Sequence, residues 1–218
     1  MRGDKLRNPS HSIRVERIFD YAQLAGLAAF LTLFLGRSVY LLRVRGINPI
    51  RLSRGKPPVE ALIEACLVVA LPLFIYEVFA FAWPLPWHAF PEPLNAVVLD
   101  VPLAKLVGCA LIASSLALFA AALFAFGDSW RVGIDQETPG ALVTRGVFAV
   151  SRNPIFVFMD AYLLGSFLVS GRLLFAVFAV LAAVLIHLQI RREEAFLEDR
   201  HGDAYRGYLD RTPRYLVW

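Results

Sequence analysis

The chain has 218 residues, 58% of them apolar and 18% charged, whereas a soluble domain sits near a half apolar and a quarter charged. A spanning helix takes about 20 mostly apolar residues, so there is room for about five spans with short loops and none for a separate soluble catalytic domain. The net charge of +4 comes largely from arginines at the ends of apolar runs, where they orient a membrane protein and meet lipid phosphates; with no dense basic face interleaved with aromatics, nucleic acid is excluded as a partner.

The polar start, Met1 to Glu16, lacks the apolar core and small-residue cleavage site of a signal peptide, so no processing is expected. A first span is predicted from Ile18 to Leu42, followed by a basic, Pro/Gly-marked loop holding Arg43, Arg45, Arg51, Arg54 and Lys56. The second span covers about Val59 to Trp83. It leads into a Pro/Trp loop without Lys or Arg, where Trp83, Trp87 and His88 suit a headgroup-level aromatic belt. The third runs to about Phe126, with Asp100 as its expected cap and Pro102 in its first turn. A polar, glycine-marked stretch, 127–150, precedes a fourth span from Pro154 to Gly171. The fifth runs from Leu173 to about Gln189, and Arg191 to Arg211 is expected as a charged, partly amphipathic helix.

The expectation is therefore one all-α integral-membrane domain over 1–218: a polar segment 1–17, three spans in 18–126, and a distinct region 127–218. The Lys/Arg bias places the 43–56 loop, Arg131, Arg145, Arg152 and the Arg-rich tail inside, giving an N-out, C-in multi-pass protein of the bacterial inner membrane type. Arg2, Lys5, Arg7, Arg14 and Arg17 run against this, but the other loops outvote them. Cys66 and Cys109 sit deep in apolar runs and are expected as buried small residues rather than metal ligands or a disulfide; no metal site is expected.

Two segments carry chemistry, both on the expected inner side. In the first, Thr144 to Phe156, Pro154 pushes Asn153 out of helical geometry and starts a span there. A helix start at membrane depth offers free N–H groups and a positive dipole end, and Arg152 adds a forked donor, which together suit a carboxylate or phosphate. A Pro-started helix with a snorkelling arginine is the plainer alternative. In the second segment, His187, Arg191 and Glu194 are spaced to share one helical face, with Glu193 beside it. Adjacent carboxylates at a lipid–water boundary can hold an ammonium, a ribose diol or a sulfonium; a solvated helix end with local ion pairs is the alternative.

The order Gly146, Phe148, Arg152, Pro154, Phe156, then a short apolar hairpin, then Glu193, Glu194, Leu197, His201, Gly202, Tyr205, Tyr208, Pro213 and Arg214 resembles the isoprenylcysteine carboxyl methyltransferase/phospholipid methyltransferase superfamily. The resemblance covers roughly Gly127 to Trp218, and residues 1–100 carry no functional motif. It implies S-adenosylmethionine in a cytoplasm-facing pocket, completed by a C-terminal helix, with a lipophilic small molecule or lipid as methyl acceptor: a carboxylate, a thiol or a lipid amine. It further implies Arg152, Asn153 and Glu194 as catalytic-site residues. Gly146, Phe148, Arg152, Asn153, Pro154, Phe156, Arg191, Glu193, Glu194, His201 and Tyr205 would be cofactor-binding.

The chain departs from the family pattern at Asn153, where His is usual, and at Phe156, where Tyr is usual. Asn exchanges hydrogen bonds but takes no proton near neutral pH, so that position supplies no base, and an already anionic acceptor would need none. Intramembrane ionisable groups also stand out: Glu64, Glu77, Lys105, Asp160 and His187. Lys105 is expected to pair with Asp100. Asp160, four residues after Phe156, is a candidate for substrate binding, as is His187. Two other readings fit the same scaffold: an NADPH-dependent membrane reductase of related architecture, and a non-catalytic lipid-binding subunit.

Overall fold

The computed structural model describes residues 9–49, 58–130 and 142–217, with side chains described from Arg17 and from Ala61 in the first two stretches. Six α-helices follow in order: α1 (Pro9–Val44), α2 (Pro58–Ala82), α3 (Pro102–Phe126), α4 (Pro154–Ser170), α5 (Leu173–His201) and α6 (Asp203–Leu209). Short 3-10 turns cover Glu92–Asn95, Gly127–Ser129 and Gly146–Ala149. Among the described residues, four helices are long and apolar enough to cross a membrane, with α4 as a shorter apolar helix. The chain is thus an all-α, multi-pass integral membrane protein. Apolar side chains such as Leu103, Phe124 and Val180 stand exposed on its outer surface, where lipid rather than water is the natural solvent.

The five long helices close into a ring, with α1 against α2 and α3, α2 against α5, α5 against α4, and α4 against α3. The closest seam is α3–α4. A Cβ on Gly108 would lie 2.7 Å from the Gly165 carbonyl oxygen, and one on Gly165 would lie 2.9 Å from that of Gly108. Without a hydrophobic drive between helices in lipid, such close backbone approach supplies the dispersion contact. Beside the seam, Phe119 stacks on Phe158 at 4.4 Å and Phe30 meets both at 5.5 and 5.6 Å.

The loops fix the two ends of the ring. At one end Gly171, with φ of 67°, makes the tight α4–α5 turn, and its carbonyl accepts from the N–H of Val98 and Leu99 at 2.8 and 3.0 Å. At the other end, Arg45 after α1 is hydrogen-bonded to Asp128 after α3, and the N-terminus of α4 meets the last third of α5. The basic end of α1, the 142–153 segment and the C-terminal tail therefore share one end, and the Pro/Trp loop lies at the opposite one.

Several sequence expectations are corrected. α5 runs unbroken to His201, because nothing between Leu173 and His201 is Gly or Pro; only α6, after Gly202 at φ of 52°, is separate. Asp100 does not cap α3, whose N-cap is Val101; its carboxylate instead holds Lys105 at 2.7 Å. Cys66 is exposed on the lipid-facing side rather than buried. His88 bonds Glu77 at 2.8 Å and stacks on Phe81 at 4.5 Å. Glu77, fully buried, also accepts from the Ala89 N–H at 2.6 Å, so this intramembrane carboxylate is structural. Arg51, Arg54, Lys56, Arg131 and the first residues of the chain lie outside the described residues.

Overpacking a filled seam costs about 1–3 kcal/mol. Gly108→Ala is expected to lower detergent-state stability by that order. Gly36→Ala, where a Cβ meets nothing within 4 Å, should not; thermal unfolding of the two variants checks it.

Candidate functional site

Three chain segments meet at the basic end: residues 151–153 leading into α4, the last third of α5, and the tail after α6. Pro154 takes the first position of α4, where its missing N–H is no loss. This sets Asn153 at φ −128°, ψ 51° and turns Arg152 and Asn153 towards α5. Seven residues before the end of α5, Glu194 is buried between them.

The Glu194 carboxylate is fully engaged. Its Oε1 accepts from Arg152 Nε at 3.0 Å and from Asn153 Nδ2 at 3.1 Å. Its Oε2 accepts from Arg214 Nε and Nη2 at 2.9 and 2.8 Å, a two-pronged guanidinium contact. The anion that the sequence suggests for the start of α4 is thus met by the protein's own Glu194. In return, the Glu194 carboxylate bonded to it raises the Arg214 guanidinium further above its ordinary value.

The tail is pinned to the same point through its backbone. Arg152 Nη1 donates to the carbonyls of Thr212 at 2.6 Å and Leu209 at 3.3 Å, and the Arg152 N–H donates to Pro213 O at 2.9 Å. Asn153 Nδ2 also donates to Arg214 O at 3.1 Å. Both amide protons of Asn153 therefore have acceptors, one on α5 and one on the tail. A ring nitrogen carries at most one proton, so this bridge is a specific use for a carboxamide at the position where the family that the motif order resembles usually has His.

Next to this cluster is a cavity of about 340 Å³ lined by Arg152, Arg191, Glu194, Ala195, Glu198, Tyr205, Leu209 and Arg214. Three guanidiniums and two carboxylates face it with one buried tyrosine ring. Its size is at the lower end for small-molecule sites. Such a donor set fits a compact molecule carrying both a carboxylate and positive groups. Glu198 is held by Arg206 at 3.0 Å.

Of the residues singled out from the sequence, Arg152, Arg191, Glu194 and Tyr205 reach the lining. Asn153 and Pro154 lie behind it. Gly146 is exposed in the turn packed against α3, and Phe148 is buried edge-on to Phe126 at 4.5 Å, its carbonyl accepting from Tyr208 Oη at 2.5 Å. These two build the wall rather than the site. Phe156, Glu193 and His201 are half-buried off the lining, and it is Glu194 that bonds Arg152.

The sequence reasoning missed Glu198 and Arg214 as lining residues. The signals were present: Glu198 is one turn beyond Glu194 on the face of Arg191, and Arg214 follows Pro213 in the motif.

Deeper along the same helices, His187 Nδ1 and the Tyr215 hydroxyl are 2.7 Å apart with their rings stacked. Burial, followed by the negative charge of Asp160, pushes the Tyr215 phenol up. Tyr208, beside the cavity, is pushed up to about 12, chiefly by burial.

Residues 103–204, from α3 to the start of α6, match the family model Phospholipid methyltransferase, in the superfamily that the motif order resembles. A comparison with curated proteins finds no significant match.

Two outcomes are expected from this geometry. Leaving the nearly buried Arg152 guanidinium without its carboxylate costs about 3–5 kcal/mol, so Glu194→Gln should loosen the tail, seen as faster amide exchange over 209–217. For Tyr208, a folded-state pKa above the ordinary tyrosine value of about 10 gives stability that is intact below pH ~10 and lost as pH rises through about 12. Tyr208→Phe should flatten that alkaline limb in unfolding curves of the protein.

Proposed function

From the phospholipid methyltransferase family region at residues 103–204, we propose that the protein transfers a methyl group from S-adenosylmethionine to a lipophilic acceptor at the cytoplasmic face of the membrane. The cofactor would supply an activated methyl group on a sulfonium. The residues present fit it: Arg191 and Arg214 suit its carboxylate, and Glu198 its ammonium or ribose hydroxyls. The buried Tyr205 gives an apolar wall with a polar edge. Glu194 acts by holding Arg152 and Arg214 in place rather than by meeting the cofactor with a free carboxylate.

The observation that carries this reading is the convergence of Arg152, Glu194 and Arg214 beside a cavity whose lining offers guanidiniums to a carboxylate and the Glu198 carboxylate to an ammonium. Methyl transfer is an in-line displacement, so the protein contributes chiefly orientation and exclusion of water. A site where α4, α5 and the tail meet would take a polar cofactor from the solvent side and a lipid from between the helices, as a reaction between the two requires. Arg43, Arg45, Arg145 and Arg191 at this end support its cytoplasmic placement under the positive-inside rule.

S-adenosylhomocysteine is expected to stabilise the detergent-solubilised protein, by about 2.7 kcal/mol at 100-fold excess over Kd, with NADPH giving no shift. Glu194→Ala and Arg214→Ala should each abolish the effect. Stabilisation by NADPH alone, or full retention of the shift in both variants, refutes the reading.

A further inference from the structure

α4 and α5 run antiparallel, and the side chains of Asn153 and Glu194 are bonded across them. Moving seven residues along each helix into the membrane reaches Asp160 on α4 and His187 on α5. Seven residues are close to two full turns, about 10 Å of rise, so both return to the same faces and remain level with each other. The tail follows the same step: Arg214 bonds Glu194, and the next residue, Tyr215, bonds His187 at 2.7 Å. Two tiers result, each drawn from α4, α5 and the tail: Asn153, Glu194 and Arg214 above, and Asp160, His187 and Tyr215 below.

The tiers differ in one respect. Every oxygen of the Glu194 carboxylate has its donors. In the lower tier, Asp160 Oδ1 is buried and has no hydrogen-bond partner among the described residues. A buried carboxylate oxygen without a donor is costly, and within a membrane an ionisable group of this kind marks a functional position. What it lacks is a hydrogen-bond donor from outside the protein. A carboxylate acceptor would bring like charge; a group with N–H or O–H would bring what is missing.

Resting on the methyltransferase reading above, we propose that Asp160, His187 and Tyr215 form the acceptor subsite. They would receive a lipid group bearing N–H or O–H, with His187 as its proton acceptor. With Nδ1–H donated to Tyr215 Oη, Nε2 of His187 holds the free lone pair. As the acceptor nitrogen or oxygen bonds the methyl carbon, the electron pair of the carbon–sulfur bond stays on sulfur, and the acceptor's proton passes to Nε2. His187 thus takes over the basic role for which Asn153 has no capacity. Tyr215 is a positioning residue that fixes the tautomer, and Asp160 holds the acceptor's donor group.

The test uses the full chain in detergent with S-adenosylhomocysteine and two readouts. By native mass spectrometry, the wild type is expected to retain phosphatidylethanolamine, which carries N–H, over phosphatidylcholine, which does not, and Asp160→Asn to lose that preference. In labelled-methyl assays on extracted membrane lipids, His187→Gln should lower kcat about 100-fold with S-adenosylhomocysteine affinity unchanged. Tyr215→Phe, which keeps the ring stack, should lower kcat in the same direction and leave KM for the acceptor within about twofold. If His187→Gln fails to fold, the other two variants carry the decision. Equal retention of both lipids, a preference that survives in Asp160→Asn, or transfer confined to carboxylates or thiols overturns the subsite while the methyltransferase reading stands. Absence of S-adenosylhomocysteine binding to the wild type removes the reading itself, and the subsite with it.

Discussion

A single buried carboxylate organises the basic end of this protein. Glu194 is held by two guanidiniums and an amide from two chain segments that are far apart in sequence. Charges removed from water are costly unless every lone pair is met, and here the geometry meets them. The consequence is specificity of position: α4 cannot slide against α5, nor the tail leave both, without stranding a charge. The cavity beside Glu194 inherits its shape from that constraint.

The rest of the bundle makes such a cluster possible by holding the helices in register. At the far end, the Gly171 carbonyl is clamped by Val98 and Leu99, while Arg172 donates to Asn95 O at 3.0 Å and lies over Phe81 at 4.1 Å. In the middle, the Gly108–Gly165 approach locks α3 to α4. Glu77 shows how the fold treats a carboxylate that serves structure alone: His88 and the Ala89 N–H from the adjoining loop satisfy it. Asp160 has no such arrangement for its buried oxygen, and that contrast separates a structural intramembrane acid from one suited to an outside ligand.

The family match ends at residue 204, yet Leu209 and Thr212 accept from Arg152, and Arg214 and Tyr215 bond Glu194 and His187. The tail contributes through backbone carbonyls as much as through side chains, and carbonyls are common to every residue type. Asn153 belongs in the same account. Its place opposite both Glu194 and Arg214 O gives its two amide protons separate acceptors, which is a structural role.

The sequence by itself determined the membrane class, the five apolar helices and the start of α4 at Pro154, because long apolar runs and a Pro at a helix start act locally and need no partner. It also marked Arg152 and Glu194, whose place in a family-like motif order does not depend on coordinates. What it left open was contact between distant segments. That Glu194 meets Arg152 and Arg214 depends on the rotation of α5, which near-uniform apolarity around the helix does not specify. That Arg214 closes the cluster depends on the path of the tail after α6. That Asp160, His187 and Tyr215 form one tier depends on the stagger of two antiparallel helices. Those choices are set by packing and by the cost of an unmet buried charge, and both exist only once the chain has folded.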